Sequence, residues 1–317
     1  MHNVVPLAFG GVGWAELKPF VPLGFALGGI YALAGVGMVA LYRATGVLNL
    51  AFGAIGAAGA LIAWYLLQHT GCPEVLAYLV AVALGGVVTL AYGAFLGPAF
   101  AARTPLVKMM GTLGLALVIL GLMGWRAPPI AASVRILHLP TSDWKYSVGG
   151  ATVNWTQILS LLLALGITVG TTAYLRFTKL GTAMRALAND REISATLGVP
   201  VRRVEAVAWF GSGLVCGAAG LLLSDLLGSL AYDALTFAVV IGGLAAALVG
   251  QLRSLWATLV GGVVIGLIQS LLQPFFLWPT PDHSLSQYRG VTPFVLAIVA
   301  LLWFGRRRVV TISRESR

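Results

Sequence analysis

Residues 75–101 read VLAYLVAVALGGVVTLAYGAFLGPAFA, twenty-seven positions without one charged side chain. The hydrocarbon core of a bilayer takes about 20 residues of α-helix to cross, so a run this long reads as a membrane span. The rest of the chain agrees. Of its 317 residues 59% are hydrophobic and 9% are charged, where a soluble domain carries about 25% charge. So few charges cannot cover a surface that faces water. In lipid every backbone amide must be satisfied within the chain, which restricts spanning segments to helices and closed barrels. The 40 glycines suit helices, because small residues let membrane helices approach closely.

Working outward, comparable runs lie near 19–42, 46–68, 106–125, 154–176, 205–228, 233–251, 254–277 and 290–305. With 75–101 these make nine candidates. The run at 233–251 is short and Gly-rich, so a re-entrant or broken segment is open there. Tight turns between some pairs set the expected range at eight to ten crossings. The fold class is therefore all-α, a polytopic bundle forming one membrane domain over 1–317. No Lys or Arg precedes Lys18, so the basic start of a secretory signal is missing. The first apolar run is expected to be a retained helix.

Basic residues set the orientation, because short cytoplasmic loops collect Lys and Arg. With the N-terminus outside, the inner set comprises Arg43, Arg103, Lys108, six residues between 176 and 204, Arg253 and five in the tail. That is fifteen of the 20. The outer set is Lys18, Arg126, Arg135, Lys145 and Arg289. The bias gives an N-out, C-in expectation in the cell (inner) membrane, with Arg306-Arg307-Arg308 as a cytoplasmic stop. The net charge of +10 thus reads as loop chemistry, with no nucleic acid expected.

Two polar stretches remain. The outer loop, about 126–154, holds Pro128, Pro129, Pro140, Trp144 and Tyr146, with Trp155 just beyond, a composition suited to the membrane–water boundary. The inner loop, about 177–204, carries two short helical patterns. Met184, Leu187 and Ala188 share one helical face. Asp190 suits a helix N-cap, with Glu192 in the first turn, where a carboxylate favours the dipole. Ile193 and Leu197 form an i, i+4 apolar pair, and Gly198 sits where a glycine ends a helix. A short amphipathic helix at the membrane face is something a soluble partner can grip. Its plainer reading is a basic loop that only sets topology.

The stretch LGTAMRALANDREISATLGVPVRRVEAVAWFGSGLVCGAAGL, residues 180–221, resembles the coupling loop and following helix of the branched-chain amino acid permease family of ABC importers (LivH/LivM type). The run in that family is patterned on G-x-A-M-R-A-x-A-x-D-x-E-x-A-x-x-x-G. Here Gly181, Ala183, Met184, Arg185, Ala186, Ala188, Asp190, Glu192, Ala195 and Gly198 match, with Ser194-Ala195 where Ala-Ala is more usual. Residues 24–60, 103–119 and 237–272 are similar to further blocks of the family. One departure stands out: Asn49-Leu50-Ala51-Phe52-Gly53 replaces an N-F-A-H-G run, so Phe52 stands for a histidine, and Ala54 follows. The resemblance implies a coupling surface of Arg185, Asp190, Glu192, Ala195, Leu197 and Gly198 docked on a cytoplasmic ATPase. It implies a second permease subunit (the same or a homologue), two ABC ATPases and an extracytoplasmic substrate-binding protein as partners. Branched-chain or related small hydrophobic amino acids, carboxylates or amides are the implied substrates.

No G-x-x-x-x-G-K-[ST] phosphate loop occurs around Lys18, Lys108, Lys145 or Lys179, so ATP and Mg are expected on partner chains and no cofactor on this one. The two cysteines and four histidines show no metal-ligand or catalytic spacing, so no metal and no enzyme activity are expected. Asp225, Asp233 and Glu205 fall near span ends, whereas an ion-coupled carrier usually buries a carboxylate in mid-membrane. A stand-alone channel or ion-coupled carrier is the alternative, and solute flux through the isolated chain would distinguish it. Polar side chains within apolar runs are the path candidates: Asn49, Phe52 beside it, Thr112, Ser212 and Gln269, with Gln157 as a further possibility. The glycines at 46, 53, 56 and 59 read either as a broken helix facing a solute or as close packing.

Overall fold

The computed structural model describes residues 17–100, 103–126, 135–148, 151–189, 191–277 and, within 292–302, all but 297, 300 and 301. Eight described helices are long and apolar enough to cross a bilayer. They are α1 (Phe20–Thr45), α2 (Phe52–His69), α3 (Glu74–Phe100), α4 (Pro105–Arg126), α5 (Trp155–Phe177), α8 (Val201–Leu227), α9 (Tyr232–Val249) and α10 (Leu255–Leu277). Between α5 and α8 lie two short helices, α6 (Lys179–Asn189) and α7 (Arg191–Thr196). The ninth expected run, 290–305, falls largely outside the described residues; those described there are helical.

The run at 233–251 holds one unbroken helix, α9, which ends at Val249. Its 18 residues span about 27 Å at 1.5 Å per residue without interruption, which removes the broken-segment alternative and makes it long enough to cross. The break comes after it. Gln251 and Leu252 both adopt left-handed backbone angles, φ 53° and 55°, and reverse the chain into α10.

α1 is the axis of the bundle. It packs against α10, α5, α8 and α9, and 83% of its apolar window is buried. The α1–α10 contact is the most extensive in the molecule, and glycines at i, i+4 spacing on both helices make it. A Cβ on Gly28 would lie 2.7 Å from the Val263 Cα, and Gly262 and Gly266 face the backbones of Ala32 and Gly28. Lipid tails are as apolar as leucine, so membrane helices associate through this kind of close backbone fit. α4 and α5 bury only 17% and 22% of their apolar windows, and the large apolar side chains they expose include Leu117, Val118, Leu162 and Val169.

The described part of the 126–154 loop contains two strands that its composition does not announce. β1 (Lys145–Val148) and β2 (Ala151–Asn154) pair antiparallel, Lys145 opposite Asn154 and Val148 opposite Ala151. The sequence between them is Gly149-Gly150, a pairing favoured in two-residue hairpin loops. Asn154 then starts α5 through a capping box with Gln157; the Asn154 amide donates to the Gln157 side-chain oxygen at 3.2 Å. Gln157 is thus a helix cap at the membrane boundary and not a group in mid-span. The loop is tied to α8, where the Leu139 amide donates to Asp225 Oδ1 at 2.9 Å.

Candidate functional site

α6 starts at a threonine cap. The Gly181 amide donates to the Thr178 hydroxyl at 2.9 Å, satisfying one of the amides that a helix start leaves free. Gly181 lies against the Tyr174 carbonyl at the end of α5, where a side chain would not fit. Met184 and Leu187 are buried, joining a cluster with Val204, Trp209 and Leu255. This inward face fixes α6 to the bundle. Ala188, expected beside Met184 and Leu187, is exposed. It borders a cavity of about 720 Å³ that it shares with Arg43, Leu187 and Arg253.

α7 is held at its end by a glycine. Gly198 has φ +83°, its amide donates to the Ala195 carbonyl at 3.1 Å, and the Val199 amide donates to the Ser194 carbonyl at 3.1 Å. These two bonds are the Schellman pattern that closes a helix on a left-handed residue. Ser194 is buried against the bundle, while Ile193 and Leu197 are 58% and 79% exposed. The i, i+4 apolar pair therefore points away from the protein. Ala195 and Arg185 are exposed too. Asp190 lies outside the described residues, as does the side chain of Glu192, so their expected capping roles are not part of this picture.

Of the five path candidates, Asn49 and Thr112 meet at the link between α1 and α2. α1 ends on Gly46, left-handed at φ 68°, whose amide donates to the Tyr42 carbonyl at 2.7 Å. Residues 47–51 then run without helix yet are largely buried. Such backbone is tolerated at membrane depth only if the protein satisfies it. Thr112 of α4 does this. Its hydroxyl accepts from the Leu50 amide at 3.1 Å and lies 3.2 Å from the Leu48 carbonyl. Asn49 Oδ1 accepts from the Ala51 amide at 3.0 Å; its amide nitrogen is buried with no partner among the described residues. Substituting Thr112 by valine keeps the shape and removes the partner. The expected cost is about 1–3 kcal/mol, read as a lowered midpoint of thermal unfolding in detergent, with Thr112→Ser close to wild type.

The other three candidates are scattered. Phe52 is fully enclosed and packs on Gly37 of α1. Gln269 accepts from the Tyr31 hydroxyl at 2.9 Å, tying α10 to α1. Ser212 borders a cavity of about 440 Å³ between α1, α5, α6 and α8, lined also by Gly37, Gly166, Gly170, Tyr174 and Met184. Its hydroxyl is buried and unpaired among the described residues. The glycines at 53, 56 and 59 face Thr236, Cys216 with Gly220, and Ala81. They serve close packing, whereas Gly46 makes the turn.

The sequence matches, over residues 23–301, the family described as branched-chain amino acid transport system / permease component. A probable branched-chain amino acid transport permease protein LivH from Methanocaldococcus jannaschii is 26% identical over 283 residues, covering 86% of each chain. The high-affinity branched-chain amino acid transport system permease protein BraD from Pseudomonas aeruginosa is 24% identical, covering 88% of this chain and 91% of that protein. A solved structure, PsaBC from Streptococcus pneumoniae in complex with Fab, aligns with 89% of this chain and 91% of that one at a TM-score of 0.48 and 12% identity.

Proposed function

The chain belongs to the branched-chain amino acid transport system permease family, and from that footing we propose that α6 and α7 are the handle by which a separate ATPase drives it. As a multi-pass membrane permease subunit it works with further subunits. The finer assignment is two cytoplasmic ABC ATPases carrying ATP and Mg, a second permease subunit, and a binding protein that delivers substrate from outside. Branched-chain or similar small hydrophobic amino acids are the cargo. This chain itself hydrolyses nothing.

The observation that carries the reading is the apolar pair Ile193 and Leu197. A monomer gains nothing from holding two large apolar side chains out on a short capped helix. A partner with a cleft gains a buried anchor, the kind of group that dominates interface energies. Placement supports it further. α6 is fixed to the bundle through Met184 and Leu187, so a force applied at α7 reaches α5 and α8 directly. Arg43, Arg176, Arg185 and Arg253 gather on that same face, which favours the cytoplasmic side under the positive-inside rule and hence the N-out orientation.

The test is reconstitution. The chain is placed in vesicles alone, and again with the second permease, the ATPases and the binding protein. Leucine uptake is expected only in the full assembly and only with ATP. Uptake by the lone chain would establish the carrier or channel reading instead.

A further inference from the structure

Beside α6, the ends of α1, α5 and the α9–α10 turn bring four arginines around one cavity of about 400 Å³: Arg43, Arg176, Arg185 and Arg253. Arg43 and Arg253 also line the neighbouring cavity of about 720 Å³. Among the described residues no carboxylate pairs with any of the four; the ion pair found there joins His138 and Asp225 elsewhere. Arg43 and Arg185 lie close enough for their charges to repel. Four like charges that converge with no counter-charge among the described residues favour an anion that joins them. Guanidinium groups suit phosphate, whose oxygens they bind in pairs.

We propose that this cavity binds the phosphate headgroup of an anionic phospholipid, with its acyl chains lying between α5 and α10. What surrounds the cavity favours a lipid over a free phosphate. Trp256 lines the same cavity and is half exposed, as aromatic side chains at a membrane boundary commonly are. Below it on α10, Val260 and Val264 continue the line at i+4 and i+8, and both are exposed. On α5, Thr172 lines the cavity, and Val169 and Leu165 follow on its face, also exposed. The two helices each pack firmly on α1 and only lightly on each other. Exposed apolar stripes on both helices thus lead away from the arginines along α5 and α10, and basic pockets between helix ends are a recurrent form of headgroup site. The bound lipid would join α1, α5, α6 and α10 at the base of the handle.

The full chain, in neutral detergent and again in the assembled transporter, is titrated with phosphatidylglycerol, phosphatidylcholine and glycerol 1-phosphate. Binding is read by native mass spectrometry. Phosphatidylglycerol is expected to be retained at least about tenfold better than phosphatidylcholine, and to weaken as salt is raised. Arg43→Gln and Arg253→Gln should each lower its retention about fivefold, on a scale of roughly 1 kcal/mol per basic residue at a membrane surface, and Arg253→Lys should retain most of it. Equal retention of the two lipids overturns the proposal, as does undiminished binding in the double glutamine variant. Displacement of the lipid by glycerol 1-phosphate would assign a soluble anion instead. Loss of lipid binding on assembly would assign an acidic partner surface. Should the glutamine variants fail to fold, the lipid comparison and its salt dependence in the unaltered chain decide the matter.

Discussion

Leu197→Asp is expected to separate ATP hydrolysis from transport while leaving the permease folded. Leu197 is 79% exposed and contributes nothing to the core, so the substitution costs the isolated chain little. Its thermal midpoint in detergent should match that of the unaltered chain. In the assembled transporter the same position would be a buried apolar anchor, and a carboxylate there would be desolvated without a partner. Loss of an anchor of this kind weakens binding by about 2 kcal/mol or more. The expected readouts are roughly thirtyfold weaker capture of the ATPase and uptake near background. Gly198→Pro should act on the same step by another route. The φ of +83° is closed to proline, whose ring fixes φ near −65°, and the bond from the Gly198 amide to Ala195 is lost. Two variants that destroy coupling by unrelated physics, one by charge and one by backbone, would locate the handle at α7. Full uptake and normal ATPase capture in both would refute the role assigned to it.

Gly28→Val is expected to have the opposite signature, a loss of the fold itself. A Cβ at Gly28 meets the Val263 Cα and carbonyl oxygen, each at 2.7 Å, and these are backbone atoms that cannot swing aside. The neighbours in the motif, Gly24, Gly262 and Gly266, are just as close to the opposite helix. Relief therefore requires α1 and α10 to separate along their length. Overpacking of a well-fitted contact costs about 1–3 kcal/mol and occasionally more; with rigid backbone on the far side the upper end applies. Since α1 also carries α5, α8 and α9, the damage should reach the whole bundle. The expected outcome is a sharply reduced yield of monodisperse protein from detergent and a lowered thermal midpoint. Gly166→Ala is the matched control, because nothing of this chain lies within 4 Å of a Cβ there.

Much of this molecule can be read from its linear sequence. A chain with 9% charge has little choice of solvent, and in lipid the backbone must bond to itself. That settles helices, their approximate ends and the class of fold. Local chemistry is equally legible at the end of α7, because a glycine stop is a property of a few neighbouring residues. Gly198 closes α7 as its type and position foretell. The family motif identifies the permease, since its residues lie together in sequence.

Which faces meet was decided elsewhere. In water an apolar stripe announces the buried side of a helix. In a membrane lipid and protein interior are equally apolar, so the stripe vanishes and small residues and rare polar groups carry the packing information. Nothing in residues 20–45 marks α1 as the axis; its burial depends on α5, α8, α9 and α10 folding around it. Thr112 looked like a path residue because a lone hydroxyl in an apolar run is costly, yet its partner is the irregular backbone of Leu48 and Leu50, more than sixty positions away. The gathering of Arg43, Arg176, Arg185 and Arg253 is likewise a product of tertiary structure. Each sits on a different segment, at the ends of α1 and α5, within α6 and in the α9–α10 turn, and only the tertiary packing brings their charges around one cavity.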